Sequence, residues 1–470
     1  MADGGAAART APLNGAVWAP ALVAAAAAGA TLAARPTLLV AAFALAVVVC
    51  GVVLVFAQPR WVLIGALALL VAHAVAVLRA EAGSPLTLRT LVLLILFGVA
   101  ARYVVDVDMP AWPQRETALL AAFGGALVLS TGFAGDSARA LVRVVELGDG
   151  AILALLIVVL IDRVVWLRRA MWAYVGAATV LAALALVQQA TGPYGVAFGG
   201  FANIVEDGSL RRSTGPIDAN YLGQLLVAAA ALALYLALDA RRRPERLLAV
   251  AAAVTCLGGL VFTFSRGALV TAVVLLGAVA WLRCVRPWLP VAALAALAVA
   301  GLLFLPAEAR DRMTALVRPA QEGIAVGDPS LRGRFSENLA AVRMFLDHPY
   351  LGVGPDNYPE RYLEYSQEIG LDPRIEERHA HNLYLEALAE YGAIGAAAFF
   401  AILAVAFRAA LAARAAPGAA LVAEGAAVAL LAFLVNGIFL QASYPHYLWI
   451  TSGLALAAGR LASKPPERLA

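Results

Sequence analysis

The chain has 470 residues, of which 63% are hydrophobic and only 14% charged, and it carries a formal net charge of +4. A soluble domain has about 25% charged residues, so this composition excludes a water-soluble globule. The positive charge does not indicate a nucleic-acid-binding protein, because the basic residues lie mostly in short clusters between apolar runs, where they set membrane topology.

Apolar runs long enough to cross a bilayer recur along the sequence, each near the ~20 residues that a membrane helix needs. They predict an all-α, polytopic integral membrane protein with about twelve to fourteen transmembrane helices. The predicted spans lie near residues 15–34, 37–57, 61–79, 86–105, 117–133, 149–162, 170–188, 219–238, 247–264, 267–283, 288–305, 391–412, 418–438 and 446–460.

The basic clusters beside these spans predict the orientation. With both termini in the cytoplasm, every strong cluster falls on the cytoplasmic side, as the positive-inside rule requires. The outer face then carries residues 189–218, the short turn around Arg266, and a loop of residues 306–390. We therefore divide the chain into N-terminal spans (1–188), a catalytic region that includes the long loop (189–400) and C-terminal spans (401–470).

Two outer-face arginines are candidate phosphate ligands. Arg212 precedes Asn220 at the start of a span, and Arg266 lies between two apolar runs with almost no polar loop around it. An arginine beside a span can simply reach towards the headgroups. However, a charge at membrane depth needs a fixed partner or a wet cavity, and the guanidinium plane suits bidentate phosphate binding.

The long loop predicts folded structure rather than a plain connector. An amphipathic pattern at 338–345 follows Arg334, and Gly352 and Gly354 then indicate a turn with close backbone approach. A purely structural role for this turn remains open.

A pair of histidines stands where the long loop returns to the membrane, at His379 and His381, followed by Asn382. No Cys, Asp or second His motif at ligand spacing accompanies them, so we predict no metal site and no cofactor. A histidine with a near-neutral pKa suits proton removal from a sugar hydroxyl. A structural role for these histidines is the alternative.

Taken in order, four segments resemble motifs of the O-antigen ligase and O-antigen polymerase superfamily. The resemblance covers roughly residues 190–400, and the N-terminal half is similar only in having apolar spans. The segments are Arg212–Gly215 with Asn220, Thr263–Gly267, His348–Gly354, and His379–Leu385 continuing through Glu390–Gly395.

The resemblance implies a glycosyltransferase of the bacterial inner membrane with a GT-C-like helical fold and a long periplasmic loop. Its donor would be an undecaprenyl-diphosphate-linked glycan, and its acceptor lipid A–core or a growing glycan, with membrane lipids around it and no nucleic acid. By the same resemblance, Arg212 and Arg266 would hold the diphosphate with help from Arg334. His381, or His379 in its place, would activate the acceptor hydroxyl.

Two other functions remain as alternatives. One is a lipid-linked glycan flippase or transporter, although carriers commonly place acidic groups near the bilayer midplane and the acids here lie near predicted span ends. The other is a cell-wall glycosyltransferase that polymerises lipid II, which would rely on an acidic loop residue such as Asp328, Asp347 or Asp356.

Overall fold

The computed structural model confirms an all-α, polytopic membrane protein. The structure describes residues 55–105, 112–192, 194–207, 210–283, 329–372, 376–416, 418–441 and 446–462. The chain divides at Gln58 into two units, and the elements below belong to the second, Pro59–Ala470. The spans predicted at 15–34, 37–57 and 288–305 lie wholly or largely outside the described residues.

The helices of the described residues follow most of the predicted spans. In chain order they are α1 Pro59–Val71, α2 Ala74–Ala82, α3 Leu88–Val105, α4 Gln114–Thr131, α5 Ser137–Leu160, α6 Val164–Thr191, α7 Ala219–Asp239, α8 Arg243–Val261, α9 Arg266–Arg283, α10 Pro329–Asp347, α11 Tyr358–Ile369, α12 Leu383–Ala412, α13 Ala420–Asn436 and α14 His446–Ala462.

Six helices in the described residues are long and apolar enough to cross a membrane, namely α3, α6, α7, α8, α9 and α12. The predicted span 61–79 is instead broken into α1 and α2, which meet at 68°. If this bent pair is one span, the number is seven. The total of twelve to fourteen spans stays a prediction.

Small residues hold the centre of the bundle together. Helix α7 is buried over 83% of its apolar window, and glycines let its neighbours approach. A Cβ on Gly223 would lie 2.8 Å from the Ala268 Cβ, and one on Gly425 would lie 2.7 Å from the Tyr235 Cβ. Because lipid tails are as apolar as the helices, close van der Waals packing of this kind is what favours helix association.

The ends of α7, α9 and α12 define two ends of the bundle. The end where these helices finish carries the basic clusters, and we call it the basic end. There Arg168 Nε donates to Asp239 Oδ2 at 2.7 Å, and Arg283 and Arg414 contact the buried Glu424 at 3.2 and 2.9 Å. The end where α7, α9 and α12 begin is called the site end.

A small antiparallel sheet lies at the site end, within residues 189–218. This sheet was not predicted from the sequence. Its strands are β1 Gly195–Ala197, β2 Ala202–Asp207 and β3 Leu210–Ser213, in the order β1-β2-β3. Val205 pairs with Arg212 across β2 and β3. The sheet is fixed to the helices because Ser213 N donates to Phe262 O at 2.9 Å.

The predicted long loop is folded where it is described. Helices α10 and α11 enclose a small core of their own, with Met344, Tyr358 and Tyr362 fully buried. The amphipathic pattern at 338–345 lies within α10. Because this core is separate from that of the bundle, the loop behaves as a small helical subdomain resting on α12.

Candidate active site

Helix α12 breaks at Gly392, and the loop before α11 fills the gap. Gly392 has φ 62° and ψ −174°, a conformation essentially restricted to glycine. Downstream of the break, Ala393 N donates to Pro349 O at 2.8 Å and Ile394 N donates to Tyr350 O at 3.2 Å. The loop therefore takes over the acceptor positions that the helix itself would supply.

The carbonyls upstream of the break are satisfied by the same loop. Ala389 O accepts from Val353 N at 2.9 Å, and Glu390 O accepts from Gly354 N at 3.0 Å. Ser130 Oγ also donates to Glu390 O, at 3.1 Å. Because buried backbone groups are costly to leave unpaired, this exchange fixes the loop against α12.

The two predicted loop glycines make this contact sterically possible. A Cβ on Gly352, which has φ +69°, would lie 2.4 Å from the Glu390 carbonyl carbon. A Cβ on Gly354, at φ +100°, would lie 2.5 Å from the Ala134 Cβ. Both positions combine a left-handed backbone with close packing, so only glycine fits.

His381 forms a close pair with a buried carboxylate of α10. Its Nδ1 lies 2.7 Å from Glu337 Oε2, and Glu337 is only 3% exposed. Tyr358 OH donates to the backbone carbonyl of Glu337 at 2.6 Å, which holds α10 against α11. A carboxylate accepts only, so Nδ1 is the donor in this contact and Nε2 is the ring nitrogen that does not contact Glu337.

His379 forms a second pair, with a buried carboxyl group of α12. Its Nδ1 lies 3.0 Å from Glu386 Oε1, and Glu386 is 1% exposed. Burial lowers the pKa of His379, although the nearby carboxylates of Glu390 and Asp356 oppose this effect. Burial therefore favours the neutral imidazole, the form that accepts protons.

Asn382 caps the N-terminus of α12 and joins it to the turn after α13. Its Oδ1 accepts from Tyr384 N and Leu385 N, an N-cap. Its Nδ2 donates to Ile438 O at 3.3 Å, and Leu383 N donates to Gly437 O at 2.7 Å. These hydrogen bonds fix the start of α12. They therefore also fix the backbone position of His381, which directly precedes Asn382.

The turn between α8 and α9 places Arg266 as the first residue of α9. Phe264 in this turn has φ +49°, and Ser265 N donates to Thr263 Oγ1 at 3.2 Å. Gly267 lies so close to Phe439 that a Cβ there would be 2.7 Å from the Phe439 Cβ. The turn at 437–439 therefore contacts the starts of both α9 and α12.

The first and second arginine motifs are joined by hydrogen bonds. Arg212 Nε donates to Thr263 O at 3.2 Å, and Ser265 Oγ donates to Asn220 Oδ1 at 2.9 Å. These bonds bring Arg212 and Asn220 to the short turn that leads into Arg266. A single connected structure holds all three residues at the site end.

Arg334 belongs to the histidine side of the site. It lies one helical turn before Glu337 on α10, so the two side chains share a face. The predicted site residues thus form two groups, one around Arg212 and Arg266 and one around Arg334 and His381. The turn at 437–439 contacts residues next to both groups: the Phe439 side chain lies against Gly267, and the carbonyls of Gly437 and Ile438 accept from Leu383 N and Asn382 Nδ2.

Sequence reasoning missed the two carboxylates and a pair of arginines. Arg139 Nε and Arg143 contact Asp356 at 3.1 and 3.0 Å. Glu337 and Glu386 hold the histidines. The one available signal was Glu386, which follows the histidine pair within the same motif, whereas Glu337 is 44 residues from His381 and only the fold connects them.

Residues 251–400 match a family model described as O-antigen ligase. This region includes the Arg266 turn, α10, the histidine pairs and the break in α12. No curated protein matches the chain. A chain of a solved structure, described as "Structural coordination of polymerization and crosslinking by a peptidoglycan synthase complex", is 20% identical, with 76% of this chain and 99% of that chain covered and a TM-score of 0.45.

The match over residues 251–400 coincides with the part of the chain that carries Arg266, Glu337, His381 and the loop that fills the break in α12. On this match, residues 251–400 of the chain are similar to the O-antigen ligase family.

Proposed function

We propose that this protein transfers a glycan from an undecaprenyl-diphosphate-linked donor to a hydroxyl group of a glycan acceptor. The family match supports the reaction class. The donor chemistry is supported by the arginine group at the site end, and the acceptor chemistry by the histidine–carboxylate pairs. The observation that carries the proposal is the connection of both groups through the turn at 437–439.

In the proposed mechanism, Arg212 and Arg266 bind the donor diphosphate. Cleavage of the glycosyl C–O bond leaves the electron pair, and hence a growing negative charge, on the diphosphate oxygen. Guanidinium groups fixed before the reaction stabilise this charge in the transition state. Arg334 assists from α10. These cations carry the electrostatic role that a divalent ion has in many phosphate-transfer sites, so we propose a metal-independent reaction.

His381 is the proposed general base. Its Nε2 accepts the proton of the acceptor hydroxyl as the hydroxyl oxygen bonds to the anomeric carbon and the diphosphate leaves. Glu337 stabilises the imidazolium that forms and fixes its orientation. The proton then passes to the released diphosphate or to water, which restores the neutral base.

His379 is the alternative base within the same proposal. Its partner Glu386 is more deeply buried and the histidine is kept neutral. The two histidines differ in the element that carries their carboxyl partner: Glu337 lies on α10 of the folded loop, whereas Glu386 lies on α12. Separate His381→Gln and His379→Gln variants therefore distinguish them, and we expect the larger loss of transfer from His381→Gln.

We further propose that the protein lies in a bacterial inner membrane with its site end facing the periplasm and both termini in the cytoplasm. The clustering of Arg168, Arg283 and Arg414 at the basic end supports this orientation, because cytoplasmic ends of spans are enriched in basic residues.

The test of the reaction class uses purified protein in detergent, with no membrane barrier, and a lipid-linked glycan donor with a glycan acceptor. We expect release of undecaprenyl diphosphate together with a new glycosidic bond, and loss of both products in His381→Gln. The exposed His348→Gln on the neighbouring loop is the matched control and should keep normal transfer. No consumption of donor by the wild-type protein, with transport appearing only in sealed vesicles, would instead establish a flippase.

The acceptor is identified by deleting the protein from its host and separating surface glycans on a gel. Full-length polymer that is not attached to lipid A–core indicates a ligase. A single repeat unit attached to core indicates a polymerase. Accumulation of unpolymerised lipid II with normal surface glycans would indicate lipid II polymerisation and contradict the proposed substrate.

A further inference from the structure

A second cavity lies away from the proposed active site, between the broken pair α1–α2, the start of α3 and the middle of α5. Its volume is about 870 Å³, within the range of ~300–1,000 Å³ that is typical of small-molecule sites. The helix break makes room for it. His73, at the break, has φ +53°, and the axes of α1 and α2 diverge by 68°.

The walls at the break are held by two histidines. His446 Nε2 lies 2.8 Å from Leu70 O, which also accepts from His73 N at 3.1 Å, so His446 joins the start of α14 to the end of α1. His73 is 7% exposed, and its Nε2 has no hydrogen-bond partner within the described residues. A buried nitrogen without a partner is costly, which favours a polar occupant beside it.

Accessible charges of both signs line the same cavity. Arg89 Nε lies 3.0 Å from Asp149 Oδ2, yet the Arg89 side chain remains 48% exposed. Glu146 contacts Arg143 and remains 50% exposed. Arg79 is exposed and makes no ion pair within the described residues. The cavity thus offers two guanidinium groups and two carboxylates rather than an excess of one charge.

The position of the cavity indicates a lipid headgroup. Leu86 and Leu88 line it at the residues where the candidate span α3 begins, which is the depth at which a span leaves the hydrocarbon. Apolar side chains there can contact acyl chains while the charged residues contact the polar end. A soluble ligand would not need these apolar walls at the membrane boundary.

We propose that this cavity binds the headgroup of a zwitterionic phospholipid with a primary ammonium, that is, phosphatidylethanolamine chemistry. Arg79 and Arg89 contact the phosphate, and Glu146 and Asp149 accept from the ammonium. An anionic headgroup would place its phosphate against the two arginines but would bring no ammonium to the two carboxylates. A quaternary ammonium could not donate hydrogen bonds to them.

The experiment uses the full-length protein in nanodiscs made from equal parts of phosphatidylethanolamine, phosphatidylglycerol and phosphatidylcholine. Lipids that remain bound after transfer to detergent are counted by native mass spectrometry. We expect phosphatidylethanolamine to be retained in preference to the other two. Arg79→Gln should lower its retention about tenfold, the scale of one lost charge-assisted hydrogen bond.

Two further variants make the result specific. Arg115→Gln replaces another exposed arginine at the start of α4 and should retain as much lipid as the wild type. Asp149→Asn should shift retention from phosphatidylethanolamine towards phosphatidylglycerol. Equal retention of all three lipids by the wild type, a preference for phosphatidylglycerol, or wild-type retention in Arg79→Gln would each overturn the proposal.

Discussion

His381 Nδ1 and Glu337 Oε2 lie 2.7 Å apart, although 44 residues separate them in the sequence. The contact joins α10 of the folded loop to the residue just before Asn382, at the start of α12. It orients an imidazole whose other nitrogen can accept a proton. The orientation of the proposed base therefore depends on the folding of the loop.

Glu337→Gln tests whether this contact serves the reaction. The amide keeps the size of the side chain but removes the charge that stabilises the imidazolium. We expect kcat to fall by about 10²-fold, within the range attributed to general-base catalysis, while KM for the lipid-linked donor changes little. Initial rates at varied donor concentration measure both quantities.

The control for that variant is Glu364→Gln, since Glu364 is 65% exposed on α11 and lies 3.8 Å from Arg361. It should leave both constants unchanged. A merely structural role for Glu337 predicts an equal loss of active protein with unchanged kcat per folded molecule. Such a result would remove Glu337 from the mechanism.

The burial of His379 predicts a pH dependence of stability. Burial lowers its pKa below the ordinary value of 6.5, so between 6.5 and the folded-state pKa the unfolded chain binds more protons. The contribution of His379 to the free energy of unfolding is therefore fully present above pH 6.5 and is lost as the pH falls through this window. His379→Gln should reduce the fall in melting temperature between pH 7.5 and 5.5, measured by thermal unfolding in detergent. An unchanged fall would contradict the lowered pKa.

Gly392→Ala should strongly destabilise the protein. A Cβ there would lie 2.3 Å from the Tyr350 carbonyl carbon, and φ is +62°. We expect a loss of about 3 kcal/mol or more, because strain adds to displacement of the loop. Gly277→Ala is the matched control, since its Cβ would meet nothing within 4 Å in α9, and it should gain about 0.5–1 kcal/mol. Chemical unfolding that ranks the two variants equally would contradict the proposed role of the break.

The hydrogen bond from Ser265 Oγ to Asn220 Oδ1 should appear as coupling between the two arginine motifs. We expect a double-mutant cycle with Asn220→Ala and Ser265→Ala to give a coupling of about 0.5–1.5 kcal/mol in the free energy of unfolding, measured by chemical unfolding in detergent. Asn220→Ala combined with Thr255→Ala, a half-buried position on α8, should be additive. Additivity in both cycles would mean that the motifs are not held together by this bond.

The sequence alone predicted the helical class and the starts of α7 and α9, because both depend on local hydrophobicity. It placed the start of the span within α12 at residue 391, whereas the helix begins at Leu383, where Asn382 caps it. It did not predict the sheet, whose strands are only three to six residues long. Nor did it predict the break at Gly392, because the apolar, alanine-rich residues around it favour an unbroken helix and only the inserted loop stabilises the gap.

The roles assigned to Arg212, Arg266, Arg334 and His381 stay predictions, because the fold shows their positions and not their chemistry. What the structure adds is the set of partners. Thr263 O holds Arg212 from 51 residues away, and Glu337 holds His381. Such pairs are set by tertiary packing, and no spacing rule in one sequence identifies them.

The most direct test of the central claim is the rate of glycan transfer by purified Arg266→Ala with excess chelator present. Fixed cations at the site end are proposed to stabilise the departing diphosphate, so the wild-type protein should keep its rate in chelator while Arg266→Ala loses about 10²–10³-fold, the cost of removing one preorganised donor. A wild-type rate abolished by chelator, or an Arg266→Ala rate within about threefold of the wild type, would contradict the account.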